Sequence, residues 1–148
     1  MTSFIYALLV AAVAGIAMAI QGSLNAVLGK IIGILETTFI VHLVGTAVVL
    51  LALFVFRLGT GDLSQFRDAP WYTYIGGALG VLIIFAVAFA LPRTGVANAT
   101  TAIIIGQVAA AMLIDQLGLF GLERIPINWW KGLGLGFLAA GGYFMLCK

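Results

Sequence analysis

Residues 95 to 121, GVANATTAIIIGQVAAAMLIDQLGLFG, decide the fold of this chain. The stretch is apolar enough to cross a bilayer, and it carries five polar side chains: Asn98, Thr100, Thr101, Gln107 and Asp115. Because hydrocarbon offers no water, a polar side chain in a membrane span must find a partner in the bundle interior or in a cavity. Amide and ionisable groups in such a segment are therefore candidates for a functional site. Gln107 is the first of these candidates.

The composition extends the membrane assignment to the whole chain. Of its 148 residues, 64% are hydrophobic and 8% are charged, whereas soluble domains carry about 25% charged residues. A transmembrane helix needs roughly 20 apolar residues, so we predict an all-α integral membrane protein with five transmembrane helices in a single domain, residues 1–148. The predicted spans are residues 4–29, 36–56, 71–91, 95–117 and 129–147.

The same composition argues against several classes of function. Five spans leave no room for a soluble catalytic domain, and no Ser/His/Asp set or phosphate-binding loop is visible, so we do not expect an enzyme. The single Cys147 permits no internal disulfide. His42, without Cys, Asp or Glu at ligand spacing, argues against a metal site, and we expect no cofactor. A dispersed formal charge of +2 is too small to indicate nucleic-acid binding.

Polar residues recur at helical spacing in the first two predicted spans. Gln21 and Asn25 stand four residues apart and share a helix face. They either line a substrate pathway or form a hydrogen-bond clamp between helices. Thr38, His42 and Thr46 recur every four residues on one face of the second span. Since imidazole can change charge near neutral pH, His42 is a candidate for proton coupling. The alternative is a neutral histidine bonded to a neighbouring helix.

Two carboxylates lie close to the ends of predicted spans. Glu36 begins the helical face that carries His42, and we interpret it as a first-turn carboxylate favoured by the helix dipole, with ion coupling as the alternative. Asp115 lies near the end of its span. We expect it at the membrane interface near Arg124 or Lys131, in this subunit or in a partner, with gating or ion coupling as the alternative.

The distribution of lysine and arginine indicates no preferred orientation. Five spans with short loops put four of these residues on one side, Arg57, Arg67, Arg124 and Lys131, and three on the other, Lys30, Arg93 and Lys148. Because orientation follows this bias in short loops, we expect the chain to insert both ways. Two inverted copies then form an antiparallel dimer of ten helices, with a central cavity between them.

The fifth predicted span supplies the surface for this dimer. Gly132, Gly136 and Ala140 recur every four residues along it. Such small residues let helix backbones approach closely, which packing requires where no hydrophobic effect operates between helices. We therefore assign these three residues to the dimer interface.

Four motifs resemble a known family: IQGSLNAVLG with Gln21 and Asn25, LVGT at 43–46, the LPRTGVANA turn, and GQVAAAMLIDQLGLFG from Gly106 to Gly121. In order and spacing they are similar to the small five-helix members of the drug/metabolite transporter superfamily, and within it to the domain-of-unknown-function family numbered 606. The resemblance covers nearly the whole chain. It implies a multi-pass protein of the bacterial inner membrane that acts as a dimer, with itself or with a related, oppositely oriented chain. The sequence departs from the family pattern at His42, where a small hydroxyl residue is expected, and at Gln116, where histidine is more usual.

Residues and resemblance together predict a small-molecule transporter, an exporter or exchanger, that works by alternating access between two inverted subunits in the lipid bilayer. The predicted substrate pathway consists of Gln21, Asn25, His42, Thr46 and Gln107, and the candidates for coupling or gating are His42, Asp115 and Glu36. The lack of a deep carboxylate favours neutral, polar or zwitterionic cargo, or uncoupled movement, over strong binding of cations. The alternatives are a dual-topology ion channel, in which polar side chains and phenylalanines line a narrow pore, and a non-transporting membrane partner subunit.

Overall fold

The computed structural model describes residues 2–147, which form helices joined by turns and one longer loop. Lys148, which counts in the charge balance, lies outside the described residues. The α-helices are α1 (Thr2–Ile32), α2 (Ile34–Leu50), α3 (Ile75–Thr94), α4 (Val96–Leu117) and α5 (Trp129–Leu146). The chain divides into two compact units, the first ending at Arg93 and the second beginning at Thr94.

In the first unit, a single residue separates α1 from α2. Gly33 adopts a φ of 99°, which glycine reaches at little steric cost because it lacks a Cβ atom. The Gly33 amide donates to the carbonyl of Gly29 at 3.1 Å, and the Thr37 amide donates to the carbonyl of Gly33 at 3.0 Å. The sequence predicted a turn from Lys30 to Leu35. The structure needs only one residue for this break, because the positive φ redirects the chain while helical hydrogen bonds continue on both sides.

The second helix changes its winding before it ends. Leu51–Val55 form a π-helix, in which Phe56 N donates to Leu51 O at 3.0 Å. Arg57 then adopts a φ of 52°, and Leu58 N donates to Ala52 O at 2.9 Å. Such wide turns are uncommon and are frequent at functional sites. The predicted span 36–56 is therefore helical to its end, but its last part is π-helical.

The loop between α2 and α3 contains two short 3-10 helices, Leu63–Asp68 and Trp71–Tyr74. Asp62 caps the first of them by accepting a hydrogen bond from the Ser64 amide at 2.8 Å. Hydrogen bonding by the Ser64 side chain, and then by its amide, lowers the pKa of the Asp62 carboxyl. The Tyr74 hydroxyl donates to the Phe66 carbonyl, which joins the two 3-10 helices. The predicted third span thus begins with a 3-10 turn and continues as α3.

Side chains of α3 pack closely against Gly22 of α1. A Cβ atom on Gly22 would lie 2.9 Å from Val87 Cγ1 and 3.4 Å from Leu91 Cδ2, so the two helices approach to a distance that only glycine allows. Leu91 and Ala88 on α3 are 4% and 1% exposed. Because small residues permit this approach, van der Waals packing holds the two helices together where lipid replaces water.

The α2 hydroxyls are buried and bonded within their own helix. Thr37 and Thr38 are 0% and 2% exposed. Their hydroxyl groups donate to carbonyls one turn earlier, Thr37 to Gly33 O at 2.8 Å and Thr38 to Ile34 O at 2.9 Å. These bonds satisfy polar groups that would be costly to bury unpaired. As a result, α2 packs against α1 without hydrogen bonds from these two side chains to its neighbour.

In the second unit, α4 packs against α5. A Cβ atom on Gly142 of α5 would overlap Ile105 Cδ1 and lie 3.3 Å from Thr101 Cγ2. The Thr101 hydroxyl donates to the Ala97 carbonyl at 2.9 Å and lies 3.5 Å from the sulfur of Met145. This pair therefore has the same type of contact as the first unit, with a glycine on one helix receiving side chains from the other.

Four stretches of the described residues are long and apolar enough to cross a membrane: Ser3–Ile32, Ile34–Val55, Trp71–Thr94 and Val96–Leu117. Many of their large apolar side chains are exposed, as expected for surfaces that contact lipid. The fifth predicted span is not confirmed, because α5 is not in this set. It has 18 residues, and its glycines, tryptophans and lysine make it less apolar than the other four.

Candidate functional site

A polar cavity lies among the helices of the first unit, beside the π-helical end of α2. Its volume is about 440 Å³, and it is lined by Gln21, Val41, His42, Gly45, Thr46, Val49, Leu50 and Ile84. Gln21 comes from α1, His42 and Thr46 from α2, and Ile84 from α3. Three of the five residues predicted for the substrate pathway thus share one cavity, which we call the polar cavity. An amide, an imidazole and a hydroxyl supply its polar side chains.

His42 is held in the polar cavity by its own helix and by a glycine on α3. The Nδ1 atom lies 2.8 Å from the carbonyl oxygen of Thr38, so Nδ1 carries the proton of this hydrogen bond, and Nε2 is an acceptor whenever the ring is uncharged. A Cβ atom on Gly80 would lie 3.5 Å from Nε2, so the ring rests against the α3 backbone. One prediction from the sequence was a bond from His42 to a neighbouring helix. The bond in the structure is to Thr38, within α2 itself.

His42 also borders a second, more apolar cavity. This cavity has a volume of about 350 Å³ and is lined by Leu35, Thr38, Phe39, His42 and Val81. The imidazole therefore lines both cavities. The Thr38 hydroxyl donates its proton to Ile34 O, so that proton is not available to a ligand in the second cavity. A rotation of the His42 side chain would change the shape of both cavities at once.

Asn25 does not line the polar cavity. Its side chain is buried, at 5% exposure, next to Ala26 at 8%, whereas Gln21 is exposed. Asn25 stands three residues after Gly22, on the side of α1 that meets α3. The four-residue spacing predicted a shared face for Gln21 and Asn25, but the cavity takes only the first. Ser23, beside them, donates its hydroxyl to the Ala19 carbonyl at 2.9 Å.

Glu36 lies in the first turn of α2, away from the polar cavity. Its carboxylate folds back over Gly33, into the space where a Cβ atom of that residue would otherwise stand. Glu36 also lines a cavity of about 420 Å³ with Ile32, Leu35, Phe39 and Ile40. Its position in the first turn of α2 is one that the helix dipole favours for a negative charge. No carboxylate lines the polar cavity.

The remaining predicted residues belong to the second unit. Gln107 is exposed on α4. Asp115 Oδ2 lies 3.7 Å from the Lys131 ammonium, with the two side chains 39% and 36% exposed. Gly132, Gly136 and Ala140 are exposed on α5, and no atom of the unit lies within 4 Å of a Cβ atom built on either glycine.

The end of α4 also anchors the connection to α5. Gly118 ends the helix with a left-handed φ of 61°, which lets the chain fold back. The amide of Ile125 donates to the Asp115 carbonyl at 2.9 Å. Gln116 accepts two further bonds, from Arg124 Nε to its carbonyl at 2.9 Å and from Ile127 N to its side-chain oxygen at 2.6 Å. Backbone and amide bonds therefore hold this connection, together with the Asp115–Lys131 pair.

Two residues of α3 carried no functional signal in the sequence: Gly80, which lies against the His42 ring, and Ile84, which lines the polar cavity. Gly80 lies four residues after Gly76, and that spacing indicates helix packing without showing that His42 would lie opposite. Ile84 is one of many apolar residues on α3. No pattern within one helix reveals which residues of another helix face it. Among residues 2–147, no group of three or more His, Cys, Asp or Glu side chains is placed to hold a metal ion.

Four long apolar stretches within residues 2–147, with many exposed apolar side chains, define a multi-pass integral membrane protein. The chain belongs to the family described as "Putative inner membrane exporter, YdcZ", whose model matches residues 6–144. The family description names a membrane exporter, which is not a class of enzyme. This match confirms the resemblance to the small drug/metabolite transporters. No curated protein and no solved structure matches the chain.

Proposed function

We propose that this membrane transporter exports a small, polar molecule that is uncharged or zwitterionic, by alternating access in a dual-topology dimer. The observation that carries the proposal is the polar cavity, in which Gln21, His42 and Thr46 come together. Its volume of about 440 Å³ falls within the range of about 300–1,000 Å³ typical of small-molecule sites. Family membership supports export in general.

The lining of the cavity supports the choice of cargo. The Gln21 amide offers donors and an acceptor, the Thr46 hydroxyl offers one donor and acceptor sites, and the His42 ring, when uncharged, offers Nε2 as an acceptor. Neither an acid nor a base with a permanent charge lines the cavity. A cation there would have no carboxylate partner, and most of the lining residues are apolar, so its charge would be costly to bury. Hydroxyl, amide or balanced zwitterionic groups match the donors and acceptors better.

The proposed dimer brings two copies of this cavity together. The nearly even division of lysine and arginine between the two sides of the membrane supports insertion in both orientations. The exposed small residues of α5, Gly132, Gly136 and Ala140, would form the contact between copies. In this arrangement α5 serves as the fifth span, because α5 of the second copy covers the glycine-rich surface that would otherwise face lipid. Transporters with inverted symmetry place their substrate site near the midplane, between the related halves.

An efflux experiment with four carbon-14 probes tests the proposal. Purified protein is reconstituted into liposomes loaded with D-xylose, L-serine, choline or succinate, which are neutral, zwitterionic, cationic and anionic. We expect saturable efflux of xylose or serine that is lost in Gln21→Leu. Gln65→Leu is the matched control, because Gln65 lies in the exposed loop after α2. Efflux of choline or succinate alone, or equal loss in both variants, would contradict the proposal. Unsaturable flux above about 10⁶ per second would indicate a channel, because collective helix motions take microseconds to milliseconds.

Gln107 provides a second test that separates transport from assembly. Gln107→Leu should reduce efflux of the same probe while the yield of dimer on size-exclusion chromatography stays at the level of wild type and Gln65→Leu. A parallel loss of efflux and dimer would instead identify Gln107 as a structural amide. The distinction matters because a polar side chain exposed on α4 can serve either a pathway or a partner helix.

A further inference from the structure

A basic cavity lies at the other end of the first unit from the α2–α3 loop, where α1 and α3 reach their last turns. Its volume is about 360 Å³, and its lining residues are Ala26, Gly29, Lys30, Ile34, Ala88, Pro92 and Arg93. Lys30 and Arg93 are the basic residues of the last turns of α1 and α3. The other lining residues are apolar. We call this site the basic cavity, and it shares no lining residue with the polar cavity.

Within the described part of the chain, no carboxylate forms an ion pair with either cation of the basic cavity. The ion pair found within residues 2–147 joins Lys131 to Asp115, so neither Lys30 nor Arg93 is neutralised there. Glu36, the acidic residue closest to Lys30 along the chain, lines a different cavity. A favourable interaction with the helix dipole accounts for one cation at the end of each helix. It does not account for two cations that line the same cavity.

Arg93 is held in place by its own helix. Its Nη1 atom donates to the Phe89 carbonyl at 2.5 Å, and the guanidinium carbon lies 3.5 Å from the centre of the Phe89 ring. Stacking on an aromatic ring and one backbone bond leave the other guanidinium N–H groups able to donate to a ligand. Because the side chain is already ordered, less conformational entropy is lost when it binds an anion.

We propose that the basic cavity binds the phosphate of an anionic phospholipid headgroup. Lys30 and Arg93 would contact the phosphate oxygens. Ala26, Ile34 and Ala88 would contact the apolar part of the lipid below the headgroup. A basic site at the ends of membrane helices with an apolar wall matches a lipid better than a free anion, which needs polar contacts on all sides. This proposal does not depend on the cargo or on the mechanism of transport.

The experiment measures the binding of lipid to purified protein in dodecylmaltoside. The shift in the midpoint of thermal unfolding is titrated with dioctanoyl phosphatidylglycerol, dioctanoyl phosphatidylcholine and inorganic phosphate. We expect phosphatidylglycerol to raise the midpoint and Lys30→Gln/Arg93→Gln to weaken its apparent affinity roughly 30-fold, from the usual contribution of each basic residue near an anionic lipid. Arg67→Gln, which removes one cation from the exposed loop, should retain wild-type affinity.

The other outcomes decide against the proposal. An equal shift from phosphatidylcholine, or wild-type affinity in Lys30→Gln/Arg93→Gln, would overturn it. A shift from inorganic phosphate as large as that from phosphatidylglycerol would identify a site for a soluble anion and would overturn the lipid as its occupant. If the double variant does not fold, Lys30→Arg/Arg93→Lys supplies the comparison. It keeps both charges and should bind phosphatidylglycerol within about threefold of wild type, whereas loss of binding would contradict recognition by charge.

Discussion

Substitution of Gly22 by alanine tests whether close approach of α1 and α3 holds the first unit together. The new Cβ atom would lie 2.9 Å from Val87 Cγ1, whereas carbon atoms pack best at about 3.5–4.0 Å. Valine in a helix strongly prefers one rotamer, so Val87 cannot swing away at low cost. Either the helices separate by several tenths of an ångström or the side chain is strained. Overpacking of this kind typically costs about 1–3 kcal/mol.

Gly15→Ala is the matched control on the same helix. A Cβ atom on Gly15 meets nothing within 4 Å, so this variant shows only the higher helix propensity of alanine, about 1 kcal/mol in its favour. Both variants gain this term, and it cancels when they are compared. We therefore expect Gly22→Ala to have a free energy of unfolding about 1–3 kcal/mol lower than Gly15→Ala. This difference corresponds to a factor of about 5 to 150 in the unfolding equilibrium.

The assay follows reversible unfolding by dodecyl sulfate in mixed micelles. Replacing Trp129 and Trp130 with phenylalanine leaves Trp71 as the only tryptophan, so its fluorescence reports on the unit that contains Gly22. A free energy of unfolding for Gly22→Ala equal to or above that of Gly15→Ala would refute the reasoning. As a further check, adding Val87→Ala to Gly22→Ala should recover part of the loss, because it removes the atom that the new methyl group meets. Independent effects of the two substitutions would show that they do not meet.

Two further predictions concern the ends of the second unit. Cys147 is the only cysteine of the chain and is exposed, so a membrane-impermeant maleimide should label about half of it in intact cells if the chain inserts both ways; labelling near none or all would contradict the antiparallel homodimer. Asp115→Asn should slow or speed tryptic cleavage after Arg124 by less than about fivefold, because a half-exposed pair at 3.7 Å contributes at most about 1 kcal/mol. Gln116→Leu, which removes the acceptor for Ile127 N, should speed that cleavage more, and the opposite order would show that the ion pair holds the connection.

The helices could be predicted from the sequence, because a bilayer selects for long apolar segments whatever their partners. The ends of those helices were harder to predict. Gly33 alone separates α1 from α2, through a φ of 99°. The sequence does not show which residue between the predicted spans 4–29 and 36–56 takes that conformation. The π-helix Leu51–Val55 consists of ordinary apolar residues, and nothing in their order distinguishes it from an α-helical turn.

The candidate site could be predicted only one helix at a time. The four-residue spacing of His42 and Thr46 places them on one face of any regular helix, and both line the polar cavity. The same rule applied to Gln21 and Asn25 does not tell which of them faces a cavity and which is buried, because that depends on where Gly22 meets α3. The position of Gly80 beside the His42 ring likewise depends on the register between two helices. Such registers are set by packing across the unit and are not encoded in local spacing.

The bonds that α2 makes to itself have a consequence for motion. Thr37, Thr38 and His42 all hydrogen-bond to carbonyls one turn earlier in α2. If this helix slides or rotates against its neighbours, those bonds move with it and none has to be broken in a medium without water to replace it. The energy barrier to such a movement then consists of van der Waals contacts, each worth only about 0.1–0.2 kcal/mol, which are lost and regained gradually. A helix of this kind can carry the His42 ring from one position to another without exposing an unpaired polar group to lipid.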